Sequence, residues 1–242
     1  MIPFVNKLCH GAPLTDADKA ALVGLAQPAR RIAAHQDIAA EGDKLHWLPL
    51  ILEGWACRYR LLENGKRQII SLLVPGDLCE PFGVLPRFMD TSLGALTPVI
   101  LSFLPLDAVK SIVQASSTIG EALWWDLLMA SEIEREHIVS LGRRSALERL
   151  GHLFCELHLR LTMAGLVEGS GYDFPITQAD MSDLLGLSSV HVNRSLQDLR
   201  KTGLVSLRGR RLIIHALDEL RELSLFNEAH LKLRDAITTT NQ

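Results

Sequence analysis

The chain has 242 residues, 48% of them hydrophobic and 5% aromatic, with 25 Lys and Arg against 28 Asp and Glu for a formal charge of −3. That length suits one large domain or two small ones around a packed core. No apolar run approaches the roughly 18 residues of a membrane span and no secretory leader pattern opens the chain. A soluble, cytoplasmic protein with no membrane partner is therefore expected, and the acidic total, taken by itself, argues against nucleic acid.

From about Leu14 to Ala26, Leu14, Ala17, Ala21, Leu22 and Leu25 recur at helical spacing, with Thr15 placed to cap the start and Pro28 to end the helix. Residues 29–105 read as short strands between turn signals at Glu41-Gly42-Asp43, Glu53-Gly54, Glu63-Asn64-Gly65-Lys66 and Pro75-Gly76-Asp77. The runs Trp47–Leu52 and Gln68–Val74 fit strands, and Asn64-Gly65 predicts a tight hairpin because both residues tolerate positive φ. Evenly spaced short strands suggest a β-roll (a jelly-roll-like double-stranded β-helix) or a barrel.

After Pro105 the period becomes helical. Leu106–Gln114 predicts a short helix, and Thr118 to about Leu141 a long one with Ile119, Leu123, Leu127, Ala130, Ile133, His137 and Leu141 near one stripe. The near-heptad spacing points to pairing with a second copy of the same helix, so these residues are expected at a homodimer seam; a buried core helix is the plainer alternative. Gly142-Arg143-Arg144-Ser145 offers a hinge and a fresh N-cap before a further helix, Ala146–Met163.

Residues 176–200 are the most informative. Thr177 with Asp180 makes a capping box that opens a helix with Met181, Leu184 and Leu185 inward. Gly186 stands where a tight inter-helix turn needs positive φ, and Ser188 caps a second helix that buries Val192, Leu196 and Leu199. An ordinary helical hairpin would share these features. What distinguishes a helix-turn-helix is the outward face: Ser189, Val190, His191, Asn193, Arg194 and Gln197 include side chains able to bond base edges or phosphate. Beyond it, Gly203–Ile214 reads as a two-stranded hairpin with Arg208, Arg210 and Arg211 at a basic tip, a wing. From His191 to His215 six basic residues face one acidic residue, a local +5 that fits a phosphate backbone.

In this order, helix, roll with Glu-Gly-Asp and Pro-Gly-Asp turns, long helix, then Gly186-Leu187-Ser188 and Val192-Asn193-Arg194, the sequence resembles the Crp/Fnr family of bacterial transcription regulators. The resemblance implies an α+β chain with a β-roll sensor domain over 1–115, a dimerisation helix over 116–142 and a winged helix-turn-helix domain over 143–242. It also implies a homodimer on palindromic double-stranded DNA, with RNA polymerase as a further partner. Arg194 matches the family's guanine-reading arginine, and Ser189, Val190 and Asn193 its variable base-contacting positions. Thr177, Ser188, His191, Gln197 and the three wing arginines complete the expected DNA-binding set. Val190 stands where many members carry glutamate, and suits a thymine methyl instead.

The sensor region departs from the family. Cyclic-nucleotide-binding members hold the phosphate with a Gly-Glu pair and an Arg-Ser/Thr-Ala triplet, whereas Met89 and Asp90 occupy the places of the arginine and serine. Asp90 would repel a phosphate, so cyclic AMP is not expected as effector and the signal is unidentified. Cys79, Glu80, Arg87, Asp90 and Thr91 mark the sensor region, with Arg87 a displaced phosphate ligand at most. The four cysteines, Cys9, Cys57, Cys79 and Cys155, have no zinc-ligand or disulfide spacing, and only Cys9 lies near the N-terminus, too few for an iron-sulfur cluster. Cys79 could serve as a haem ligand or redox thiol, but a small buried apolar residue is the commoner role.

No cofactor, metal or catalytic residue is assigned. A cupin-like metal enzyme would need several convergent ligands, and the roll offers only His35 and His46. A signal-binding module working through protein contacts is the other alternative. Leu217 to about Ile237 predicts a last amphipathic helix packed on the DNA-binding domain.

Overall fold

The computed structural model describes residues 1–80 and 88–231. It opens with α1 (Ile2–Leu8), a helix the sequence analysis did not assign, which buries Phe4, Val5 and Leu8. In α2 (Asp16–Gly24) the start is fixed by Thr15: its hydroxyl accepts from the Asp18 amide, and the Asp18 carboxylate accepts from the Thr15 amide.

The roll is two facing antiparallel sheets. One runs in the order β1 (Arg30–Ile32), β7 (Val99–Pro105), β3 (Trp47–Glu53), and the other in the order β2 (Asp37–Ala39), β6 (Ser92–Ala95), β4 (Ala56–Leu61), β5 (Arg67–Leu73). Ile51, Val99 and Leu101 of the first sheet meet Ala39, Ala56, Leu73, Leu93 and Ala95 of the second, with Cys79 and Met89 in the same core. The β4–β5 connection is longer than the expected two-residue turn. Only Gly65 takes positive φ (+80°), and Asn64 instead accepts the Lys66 amide through its side-chain oxygen.

α3 (Leu106–Ala115) leads into α4 (Ser117–Arg143), whose 27 residues span about 40 Å. α4 runs through Gly142, so the hinge narrows to Arg144 and Ser145. Ser145 and Glu148 form a reciprocal capping box that starts α5 (Ala146–Met163).

The expected seam on α4 is corrected. Ile119 (1% exposed) and Ile133 (7% exposed) lie in the chain's own cores, and Leu123 packs beside Ile119. His137 bonds the Leu184 backbone, and Leu141 lies against Gly186. Leu127 and Ala130 are half-buried. The side of α4 left open carries Trp124 (65% exposed), Leu128, Ile138 (68% exposed) and Val139. With Ser131 and Arg135 between them, Trp124, Leu128 and Ile138 also follow a 4-3-4-3 spacing, with Val139 beside Ile138. The helix thus has two apolar stripes, and the one richer in aliphatic side chains is taken by the chain's own roll and C-terminal domain.

Beyond α5, β8 (Gly171–Asp173) joins the wing strands β9 (Val205–Arg208) and β10 (Arg211–Ile214) in the order β8-β10-β9, giving three strands where two were expected. Between β8 and β9 lie α6 (Gln178–Leu185) and α7 (Ser189–Lys201). The last helix is shorter than expected. α8 (Leu217–Leu223) stops where the Ser224 hydroxyl donates to the Leu220 carbonyl and Leu225 turns left-handed (φ +53°), and a 3-10 turn, Glu228–Leu231, follows. α8 packs on α5, where Gly151 leaves room for the Ser224 side chain; the rest of the expected helix lies outside the described residues.

A buried charge cluster joins α1, the turn before β6, α4 and α5. The Lys7 ammonium bridges Asp77 (2.9 Å) and Asp126 (2.8 Å), and Arg160 bridges Asp77 (2.7 Å) and Glu156 (3.1 Å). Burial opposes the charge on each carboxylate. At Asp77 the two cations and the Val74 amide outweigh burial and hold the carboxyl below its ordinary range, whereas at Asp126, with Lys7 as its direct partner, burial prevails and the carboxyl is raised.

Candidate nucleic-acid interface

The helix-turn-helix is built from local capping. The Thr177 hydroxyl and amide bond the Asp180 carboxylate and open α6; Gly186 takes φ +63° to end it; the Ser188 hydroxyl accepts the His191 amide and opens α7. A Cβ on Gly186 would stand 3.3 Å from the Leu141 side chain, a contact that side chain could relieve, so it is the positive φ that calls for glycine. Thr177 and Ser188 therefore serve the two helix starts, whatever else they touch.

Met181, Leu184, Leu185, Val192, Leu196 and Leu199 are buried as expected. Their opposite face forms a shallow hollow of about 430 Å³ lined by Gln178, Ser189, Val190, Asn193, Arg194 and Gln197. Val190 is 80% exposed, an apolar side chain held in solvent. Gln197 continues into a second hollow with Arg200 and Lys201, and Lys201 is paired to Asp198 at 2.9 Å. His191 is exposed on the first turn of α7. The outward set predicted from sequence is thus brought together, and the structure adds Gln178, the first residue of α6.

The three wing arginines part company. Arg208 is exposed, and its side chain has no hydrogen bond or ion pair among the described residues. Arg210, left-handed at φ +65°, accepts the Phe174 amide through its carbonyl and lines a groove of about 420 Å³ with Trp55, Thr97 and Asp173, between wing and roll. Arg211 is tied to Glu168 (3.1 Å) and Asp173 (3.5 Å). The Arg208 and Arg210 side chains thus stay exposed at the wing, while Arg211 is held by two exposed carboxylates.

The sensor and DNA-binding halves are joined by directional contacts. Arg67 of β5 donates to Asp180 and Asp183 of α6, each at 2.7 Å, and Gln68 donates to the Leu184 carbonyl at 3.1 Å. Arg149 of α5 donates to the carbonyls of Leu141, Arg144 and Leu185. Burial would raise the Asp180 carboxyl, but the bonds from Thr177 and Arg67 outweigh it and hold it below its ordinary range.

In the sensor region Arg58, unremarked in the sequence, is the organising residue. It reaches in from β4 and donates to Glu80 (3.0 Å), Thr91 (3.0 Å) and the Cys79 carbonyl (2.6 Å), with Glu134 of α4 3.9 Å away. Among the described residues the space left between roll and α4 is about 50 Å³, lined by Lys7, Arg58, Asp77, Asp126, Glu134 and Arg160 among others. Asp90 is exposed and Met89 sits in the roll core, so neither supplies a phosphate-binding cation; Arg87 lies outside the described residues. Burial pushes the thiols of Cys57 to about 12 and Cys155 to about 11, and Cys79, fully buried, higher still, the opposite of what a reactive thiolate needs. No group of three or more His, Cys, Asp or Glu among the described residues is placed to hold a metal, and none of their helices is long and apolar enough to cross a membrane.

Residues 148–223 match the Crp-like helix-turn-helix domain, and residues 29–116 match the cyclic nucleotide-binding domain. The chain belongs to the Crp/Fnr family of transcription regulators. It is 27% identical to the transcriptional activator protein FnrL of Cereibacter sphaeroides, with 88% of this chain and 90% of that protein covered. It is 26% identical to the anaerobic regulatory protein of Haemophilus influenzae, over 95% of this chain and 89% of that one. In fold it is similar to FixK2 from Bradyrhizobium japonicum (TM-score 0.70, 22% identity), covering 81% of this chain and 96% of that structure. A Crp/Fnr regulator binds DNA through its helix-turn-helix, which here is α6 and α7 with the wing β9–β10.

Proposed function

We propose that this regulator acts as a homodimer on a two-fold-symmetric DNA operator, with α7 in the major groove. The observation that carries this is the outward hollow on α6 and α7, where Val190, Asn193, Arg194 and Gln197 stand at i, i+3, i+4 and i+7 and no carboxylate lines it. Arg194 reads guanine by paired donors, Val190 meets a thymine methyl, and Arg208, Arg200 and Lys201 meet phosphates. The second protomer docks on the open stripe of α4, Trp124, Leu128, Ile138 and Val139. The division into a sensor roll (1–115), a pairing helix (116–142) and a DNA-binding domain (143–242) follows these roles. The protein works in the cytoplasm, by binding rather than catalysis, with RNA polymerase as the partner it helps or blocks.

The reading includes no cyclic-AMP effector, because Met89 and Asp90 stand where a phosphate-binding arginine and serine would be needed. Binding-site selection from random duplexes, with sedimentation of the bound complex, tests the reading. The expected product is an inverted repeat with half-sites about 34–36 Å apart, bound by two protomers; a single non-repeated site bound by one protomer would overturn it.

A further inference from the structure

On the hollow of α6 and α7 the three side-chain amides are not independent. Gln197 Nε2 donates to Asn193 Oδ1 at 2.9 Å, and Asn193 Nδ2 donates to Gln178 Oε1 at 3.1 Å. Gln197 lies one turn along α7 from Asn193, a spacing at which helical side chains meet. Gln178 lies 15 residues back, on the other helix of the motif. The bonds form a chain with one direction, from α7 across to α6.

An isolated exposed asparagine can turn its amide either way and so tolerates several base edges. Held from both sides, Asn193 keeps one free N–H and one free lone pair of its oxygen, side by side. Reversing it alone would set oxygen against oxygen at Gln178 and N–H against N–H at Gln197, so the three amides reverse only together. A donor and an acceptor side by side complement the N6 donor and N7 acceptor of adenine in the major groove. Guanine shows two acceptors there, N7 and O6, and would leave the asparagine oxygen opposed.

We propose that Gln178 is a positioning residue for sequence readout: from the first helix it fixes the Asn193 amide so that Asn193 selects adenine in the same half-site as the guanine read by Arg194. The inference rests on α7 being the reading helix. A phosphate contact by Gln178 is the competing role for an exposed polar residue at the start of α6, and it predicts a different result.

The test is binding-site selection with sequencing, run on the full-length protein, Gln178→Leu and Gln178→Glu, each checked for an unchanged thermal midpoint. The wild-type protein is expected to enrich an adenine in each half-site, favoured by about tenfold or more over other bases. Gln178→Leu, which removes the acceptor, should cut that preference to about threefold or less and leave the guanine preference intact. Gln178→Glu keeps an acceptor for Asn193 Nδ2 and should keep the adenine preference, while its added negative charge weakens binding to every sequence. Three results would overturn the proposal: an enriched site without adenine, a Gln178→Leu loss spread evenly over all sequences, or loss of the adenine preference in Gln178→Glu as well. Absence of any enriched site for the folded wild-type protein would instead sink the reading role of α7, and this proposal with it.

Discussion

Arg194 and the wing arginines carry the same charge and differ in what the fold leaves them free to do. Arg194 is exposed in the reading hollow, so Arg194→Ala should cost roughly 1–3 kcal/mol on the selected operator and relax preference at a single base pair, measured by competition between operator variants. Arg208→Ala should weaken all sequences alike and lower the slope of log affinity against log salt by about one, as expected for one phosphate contact. Arg211 must first leave Glu168 and Asp173, so it contributes less to that slope. The outward polar face of α7 was legible because a helix repeats every 3.6 residues and the inward half identifies the outward half. The pairing of Arg211 was not, because Glu168 and Asp173 are brought beside it at β8, a three-residue strand too short to leave a period. Gln178 was missed for a similar reason: its partner Asn193 lies across a turn.

At the scale of elements, α4 shows what a periodic pattern can and cannot decide. Heptad spacing located the helix to within a residue or two of its ends, and the structure then assigned the predicted stripe to the chain's own cores. The pattern was silent about which side faced which partner, because Trp124, Leu128 and Ile138 repeat at nearly the same interval as Ile119, Leu123, Ile133 and Leu141. The two sides of α4 give a separable pair of variants. Leu128→Glu should weaken dimerisation by about 2 kcal/mol or more per protomer through lost apolar burial, seen as monomer by sedimentation at concentrations where the wild type is dimeric. Its monomer should remain folded by circular dichroism. Ile133→Glu, by contrast, places a carboxylate in the chain's own core and should unfold it.

For the whole molecule, the Pro75-Gly76-Asp77 turn carries more than its sequence suggests. Gly76, at φ +98°, admits the backbone of Pro3 to a distance no side chain would allow, and Asp77 joins Lys7 of α1 to Arg160 of α5. Sequence shows a turn there; only the fold shows that three distant elements close on it. Asp77→Asn leaves two buried cations short of a counter-charge and should cost about 3–5 kcal/mol, read as a shifted urea midpoint. Asp77 and Asp180 are both held below the ordinary aspartate value of 3.8. Their contribution to stability is therefore complete above that value, and disappears as pH falls through their lower folded values. Urea midpoints should be flat from pH 7 to about 5 for these groups and drop below about pH 4, with a smaller acid-dependent drop in Asp77→Asn.

Trp124 and Trp125 are neighbours in the chain and opposites in the fold. Trp125 is packed so tightly that a Cβ on Gly11 would lie 2.7 Å from its ring, whereas Trp124 stands 65% exposed on the proposed pairing stripe. Indole emission moves to shorter wavelength as the ring leaves water. With Trp47 and Trp55 replaced by phenylalanine, Trp125 would report the folding of its own protomer and Trp124 the docking of a second, so folding and assembly could be told apart without a label.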